Sequence, residues 1–100
     1  MKVTIQGVEY DFVYNGFGPL YTFEVIARRP FEFGLTADMH TLIFATLQFS
    51  NPKKFKMAPS DFFQILYDDP ILEKTLTDEI VARWEQRAKL LDASAKKNDE

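Results

Sequence analysis

The stretch Val3-Thr4-Ile5-Gln6-Gly7-Val8-Glu9-Tyr10-Asp11-Phe12 decides the fold. Val3 and Ile5 alternate with Lys2, Thr4 and Gln6, while Tyr10, Phe12 and Tyr14 alternate with Asp11 and Val13, the period of two that belongs to strands. A two-residue turn at Gly7-Val8, with glycine first, sets Ile5 opposite Tyr10, Val3 opposite Phe12 and Thr4 opposite Asp11. Both apolar sets then share one face, and a slip of one residue would destroy that agreement. A two-stranded sheet is marginal alone and leaves its edges unpaired, so the hairpin must pack on helices and can pair with another subunit. Self-association is expected.

Downstream, the period changes to that of helices. After the turn cluster Asn15-Gly16-Phe17-Gly18, Pro19 opens a helix that buries Leu20, Phe23 and Ala27 and is ended by Pro30. Phe31, Phe33 and Leu35 read as an extended connection in preference to a short third strand. Thr36 caps a second helix, with Asp38 in its first turn and Met39, Leu42, Ile43, Ala45, Thr46, Leu47 and Phe49 forming a broad apolar surface. Asn51-Pro52 breaks it, and Lys53 to Pro59 reads as an exposed basic loop with one buried aromatic, Phe55. A short helix capped by Ser60 runs from Asp61 to about Tyr67 and buries Phe62 or Phe63 with Leu66. Asp69 caps the last helix, which has Pro70 at its first position and carries Leu72, Leu76, Ile80, Trp84 and Ala88 at spacing four to about Leu91. That helix is longer than a chain of this size needs, so its distal end is expected to project. The fold class is α+β: an N-terminal hairpin packed on about four helices, with residues 1–92 as one domain and 93–100 as a polar, frayed tail.

Composition narrows the function classes. With 46% hydrophobic and 15% aromatic residues the chain can build a core, and without cysteine it has no disulfide, thiolate metal site or thiol nucleophile. Twelve basic residues against fifteen acidic ones give a net charge of −3, which weighs against a nucleic-acid binder, since duplex binding usually rests on a basic face. The longest apolar run, Leu42 to Leu47 interrupted only by Thr46, falls far short of the roughly 20 residues a bilayer demands. The opening Met1 to Gly7 holds no extended apolar stretch, so cytoplasmic residence is expected.

Residues of the types that carry chemistry read better as structure. His40 is the only histidine, and carboxylates alone are left to assist it as a base or metal ligand. Asp61, Asp68, Asp69 and Glu73 lack the alternating ligands and central glycine of a calcium loop, and helix capping accounts for Asp69. Ser50, Ser60 and Ser94 sit in no glycine-flanked elbow, and no glycine-rich phosphate loop is present. No enzyme, cofactor or metal is expected. Arg28-Arg29 and Lys53-Lys54-Phe55-Lys56 read as solvated basic surface. The end of the last helix is the candidate for holding another protein, with Trp84, Arg87 and Leu91 as its contact residues, because apolar groups beside arginine past the globule suit a protein interface.

The opening Val3 to Phe12, followed by Phe17-Gly18-Pro19-Leu20 and Phe23-Glu24, resembles the start of tail assembly chaperones of long-tailed bacteriophages. The helix start Pro59-Ser60-Asp61-Phe62, the short acidic break and the charged final helix resemble the same family. The resemblance implies a non-enzymatic phage or prophage protein of the bacterial cytoplasm that binds the tape measure protein during tail assembly, oligomerises along it and is absent from the finished virion. The tail tube protein is a second implied partner. It carries no catalytic residue over, and Trp84, Arg87 and Leu91 follow instead from expected exposure and helix spacing. The competing readings are a small nucleic-acid-binding regulator and a structural connector retained in the virion.

Overall fold

The computed structural model describes residues 1–14, 18–30, 32 and 36–98. Two strands, β1 (Lys2–Ile5) and β2 (Val8–Asp11), precede four helices, α1 (Gly18–Ala27), α2 (Thr36–Ser50), α3 (Pro59–Asp68) and α4 (Pro70–Asn98). The architecture is α+β and mostly helical, with a long C-terminal helix, as the periodicities require. The cluster Asn15-Gly16-Phe17 and the connection over 31–35, Glu32 apart, lie outside the described residues.

The hairpin forms with a different register from the one its glycine implied. Val3 faces Tyr10, Thr4 faces Glu9 and Ile5 faces Val8, so the turn is Gln6-Gly7 and glycine stands second. Gln6 has φ 51° and Gly7 φ 77°, the pair of left-handed residues that a type I′ turn needs and whose twist matches the flanking strands. The partner of each β1 residue moves by two positions, which leaves every side chain on its expected face. Val3, Ile5, Tyr10, Phe12 and Tyr14 are all buried.

β2 is held on its other edge by the end of α2. Phe12 N–H points at the Met1 carbonyl (2.8 Å), so Asp11 and Val13 present their backbone groups outward. There the buried Asn51 side chain accepts from Asp11 N–H (3.0 Å) and donates to the Asp11 carbonyl (2.7 Å) and the Leu47 carbonyl (2.9 Å). Ser50 Oγ accepts from Val13 N–H at 3.0 Å, and Lys54 Nζ donates to the Glu9 carbonyl. An amide side chain thus stands in for the backbone of a third strand.

The core joins this hairpin to the helices through edge-to-face rings: Tyr10 on Phe55 (5.4 Å), Phe55 on Phe62 (5.5 Å) and Phe44 on Phe55 (5.4 Å). Phe12, Leu42, Ile43, Leu47, Phe62, Leu66, Leu76 and Ile80 are fully buried with them. Between Phe62 and Phe63, Phe62 takes the core position and Phe63 is half-buried. Phe49, expected on the buried surface of α2, is 48% exposed. Its ring lies where a Cβ on Gly18 would stand, which is why a glycine opens α1.

Three helix ends depart from the sequence reading. α1 stops at Ala27, before Pro30, because Arg28 takes φ 57° and donates its N–H to the Glu24 carbonyl (2.8 Å), closing the helix in the left-handed manner. α3 starts at Pro59 with Ala58 before it and no side-chain cap, so Ser60 lies inside the first turn. Proline suits that place because its φ is already helical and it has no N–H to satisfy. α4 runs to Asn98, past Leu91, making it roughly 43 Å long at 1.5 Å per residue. The Asp69 cap is present, with Oδ1 accepting from Leu72 N–H at 3.1 Å.

Candidate functional site

The globule ends on α4 at Trp84. Leu76 and Ile80 are fully buried, Trp84 is half-buried, and every residue from Glu85 to Ala93 is exposed. The molecule measures 52 × 28 × 25 Å, and the long dimension accommodates the length of α4. Leu90 is 73% and Leu91 61% exposed on this projecting part. Arg87 lies one turn before them and shares their face, whereas Glu85, Lys89 and Asp92 fall on the opposite side at helical spacing.

The three predicted contact residues divide into two kinds. Arg87 and Leu91 are exposed and adjacent on one face. Trp84 instead anchors α4 to the hairpin: its Nε1–H donates to Tyr14 Oη at 2.8 Å, and the two rings meet edge-to-face at 6.0 Å. Burial raises the Tyr14 pKa above its ordinary 10.0, and the indole donor partly offsets that. The periodicity of α4 continues unbroken through Trp84, so only packing reveals where core becomes surface.

His40 bridges α2 to α4. Its Nε2 lies 3.0 Å from Glu73 Oε2, with the Phe63 ring 6.4 Å away. No group of three His, Asp or Glu side chains comes together as a metal site among the described residues, and no helix among them is long and apolar enough to cross a membrane.

One member of each basic cluster is engaged within the fold. Arg29 forms a two-pronged pair with Asp38, Nη1 donating to Oδ2 at 2.8 Å and Nη2 to Oδ1, and Asp38 also accepts from Glu32 N–H at 2.8 Å. Asp38 is buried, and the Arg29 hydrogen bond pulls its carboxyl below the usual range. Its place in the first turn of α2 suggests only a favourable interaction with the helix dipole. Its larger role is to tie the segment after α1 to α2, which no local pattern announces. Lys54 lies over the Tyr10 ring at 5.4 Å while its ammonium holds Glu9.

A second surface feature escaped the sequence reading. Gln6 at the hairpin tip, Met57 before α3, and Asp61, Gln64, Ile65 and Asp68 along α3 line an open groove of about 380 Å³. Four of these six side chains are polar, two of them carboxylates.

Compared with protein-family models, characterised proteins and solved structures, the chain matches none of them.

Proposed function

We infer that this protein is a non-enzymatic assembly chaperone of the phage tail type, which covers an apolar segment of the tape measure protein in the bacterial cytoplasm until the tail tube forms around it. The observation that carries the reading is the pair Leu90 and Leu91, exposed by 73% and 61% on a helix that has left its own core. Apolar side chains in such a place, beside an arginine, suit contact with another polypeptide. A long helical client that exposes apolar stripes before assembly needs such cover, because unprotected stripes aggregate.

The test is co-expression with a phage tape measure protein. Leu90→Asp with Leu91→Asp should abolish co-purification while leaving circular dichroism unchanged, since neither residue contributes to the core. Retention of the client by this variant would sink the reading. Salt-sensitive binding to DNA or RNA would favour the regulator, and recovery of the chain from purified virions would favour the connector.

A further inference from the structure

We propose that the corner where α3 meets α4 is a docking face for a basic amphipathic segment of another polypeptide, seated on Tyr67 and Ile71. Among the described residues these are the two most exposed large apolar side chains, at 80% and 79%. Tyr67 stands in the last turn of α3 and Ile71 in the first turn of α4, and neither adds to the core. The corner between them is held stiff. Asp69 donates its N–H to the Ile65 carbonyl (3.0 Å), accepts from Glu73 N–H at its own carbonyl (3.1 Å) and caps Leu72 N–H with its carboxylate. An aromatic ring held out on a rigid turn beside a second apolar side chain is the kind of anchor on which binding energy concentrates at protein interfaces.

Charge chooses the partner. Residues 59–73 hold four carboxylates and no basic side chain. Asp69 is taken up as a helix cap and Glu73 faces His40, but among the described residues neither Asp61 nor Asp68 meets a cation. Further along α4, Asp78 is matched by Lys74 and Glu79 by Arg83, so on this stretch of chain the unmatched charge belongs to α3. Asp61, Gln64 and Tyr67 follow one another three apart along α3, which sets a carboxylate, an amide and the ring in one row. The groove of about 380 Å³ includes Asp61, Gln64 and Asp68 in its lining and is mostly polar. It takes a lysine or arginine side chain of the partner, whose charge meets Asp61 or Asp68 while the partner's apolar side chains cover Tyr67 and Ile71. A guanidinium also stacks favourably on a tyrosine ring. A phosphate-bearing surface, whether nucleic acid or lipid, is repelled by the same carboxylates. Ile71 lies about 28 Å along α4 from Leu90, so this face stands apart from the end assigned to the client and does not depend on that reading.

Fluorescence anisotropy of labelled peptides with the full chain tests it. The probe is a synthetic amphipathic helix of about 18 residues with a leucine stripe flanked by arginines, and its counterpart carries glutamate at every arginine. The arginine peptide should bind at least about tenfold more tightly than the glutamate peptide, and the preference should shrink as salt rises. Tyr67→Ser with Ile71→Ser should weaken binding about tenfold or more while leaving circular dichroism unchanged. Asp61→Asn with Asp68→Asn should remove most of the salt dependence. Leu90→Ser with Leu91→Ser should bind the probe as the wild type does, which separates this face from the client end. Equal binding of the two peptides, or full binding by the Tyr67 and Ile71 variant, would overturn the proposal. Sedimentation in which the wild-type chain self-associates and the Tyr67 and Ile71 variant is monomeric would overturn it too, because the occupant would then be a second copy.

Discussion

Trp84 donates its indole N–H to Tyr14 at 2.8 Å across 70 residues of sequence, and this bond marks the boundary between the part of α4 that is core and the part that is free. Tyr14→Phe removes the acceptor and leaves a half-buried donor unsatisfied, which should cost about 1–2 kcal/mol in urea unfolding. Trp84 is the only tryptophan, so its fluorescence reports the site directly. A double-mutant cycle with Trp84→Phe should show coupling, and additive losses would mean the bond contributes nothing.

Alkaline pH should act through the same pair. Burial lifts the Tyr14 pKa above 10.0, so the fold favours the neutral phenol. The stability it supplies is complete below the unfolded value and is lost as pH rises through it toward the folded one. Thermal melts from pH 9 upward should lose stability more steeply for the wild type than for Tyr14→Phe.

Acid should loosen the molecule from two other places. Asp38 is held below 3.8 chiefly by the hydrogen bond from Arg29, and Asp11 by that from Lys2. Depressed carboxyls stabilise the fold above the unfolded value, and that contribution disappears as pH falls through 3.8 and below. Asp38→Asn should flatten the acid limb of a Tm against pH curve, while an unchanged slope would show that the pair does not drive it.

Asn51 joins α2 to β2 by three hydrogen bonds, so its loss should be felt at the hairpin. Asn51→Ala leaves the outward backbone groups of Asp11 without their partner and should cost about 2–3 kcal/mol. Amide exchange at Asp11 should quicken more than at Val3, whose partners lie on the other strand.

The turn offers a gain in stability. Gln6 adopts φ 51° although glutamine is a poor left-handed residue, and Gly7 follows at φ 77°. Gln6→Asn creates the Asn-Gly pair that type I′ turns prefer and should add about 0.5–1 kcal/mol. Gly7→Ala meets no neighbour yet should cost about 1 kcal/mol from backbone strain alone. Equal stability of the two variants would argue against this turn type.

Side-chain alternation by itself determined that residues 2–14 form a hairpin with Val3, Ile5, Tyr10, Phe12 and Tyr14 inward, because a period of two admits one buried face. Helical spacing likewise determined that four helices follow and that Leu76 and Ile80 are core, and proline and aspartate fixed the start of α4. The hairpin register was open to sequence only up to steps of two, since such a step preserves the faces. Tertiary structure settled it through the left-handed pair Gln6-Gly7. It also decided which residues after Ile80 are surface, because the pattern of α4 runs on while the neighbours that would cover it end at Tyr14. Asn51, Asp38 and the groove along α3 were beyond the sequence for one reason: each joins segments far apart in the chain, and their complementarity exists only once the core has brought those segments together.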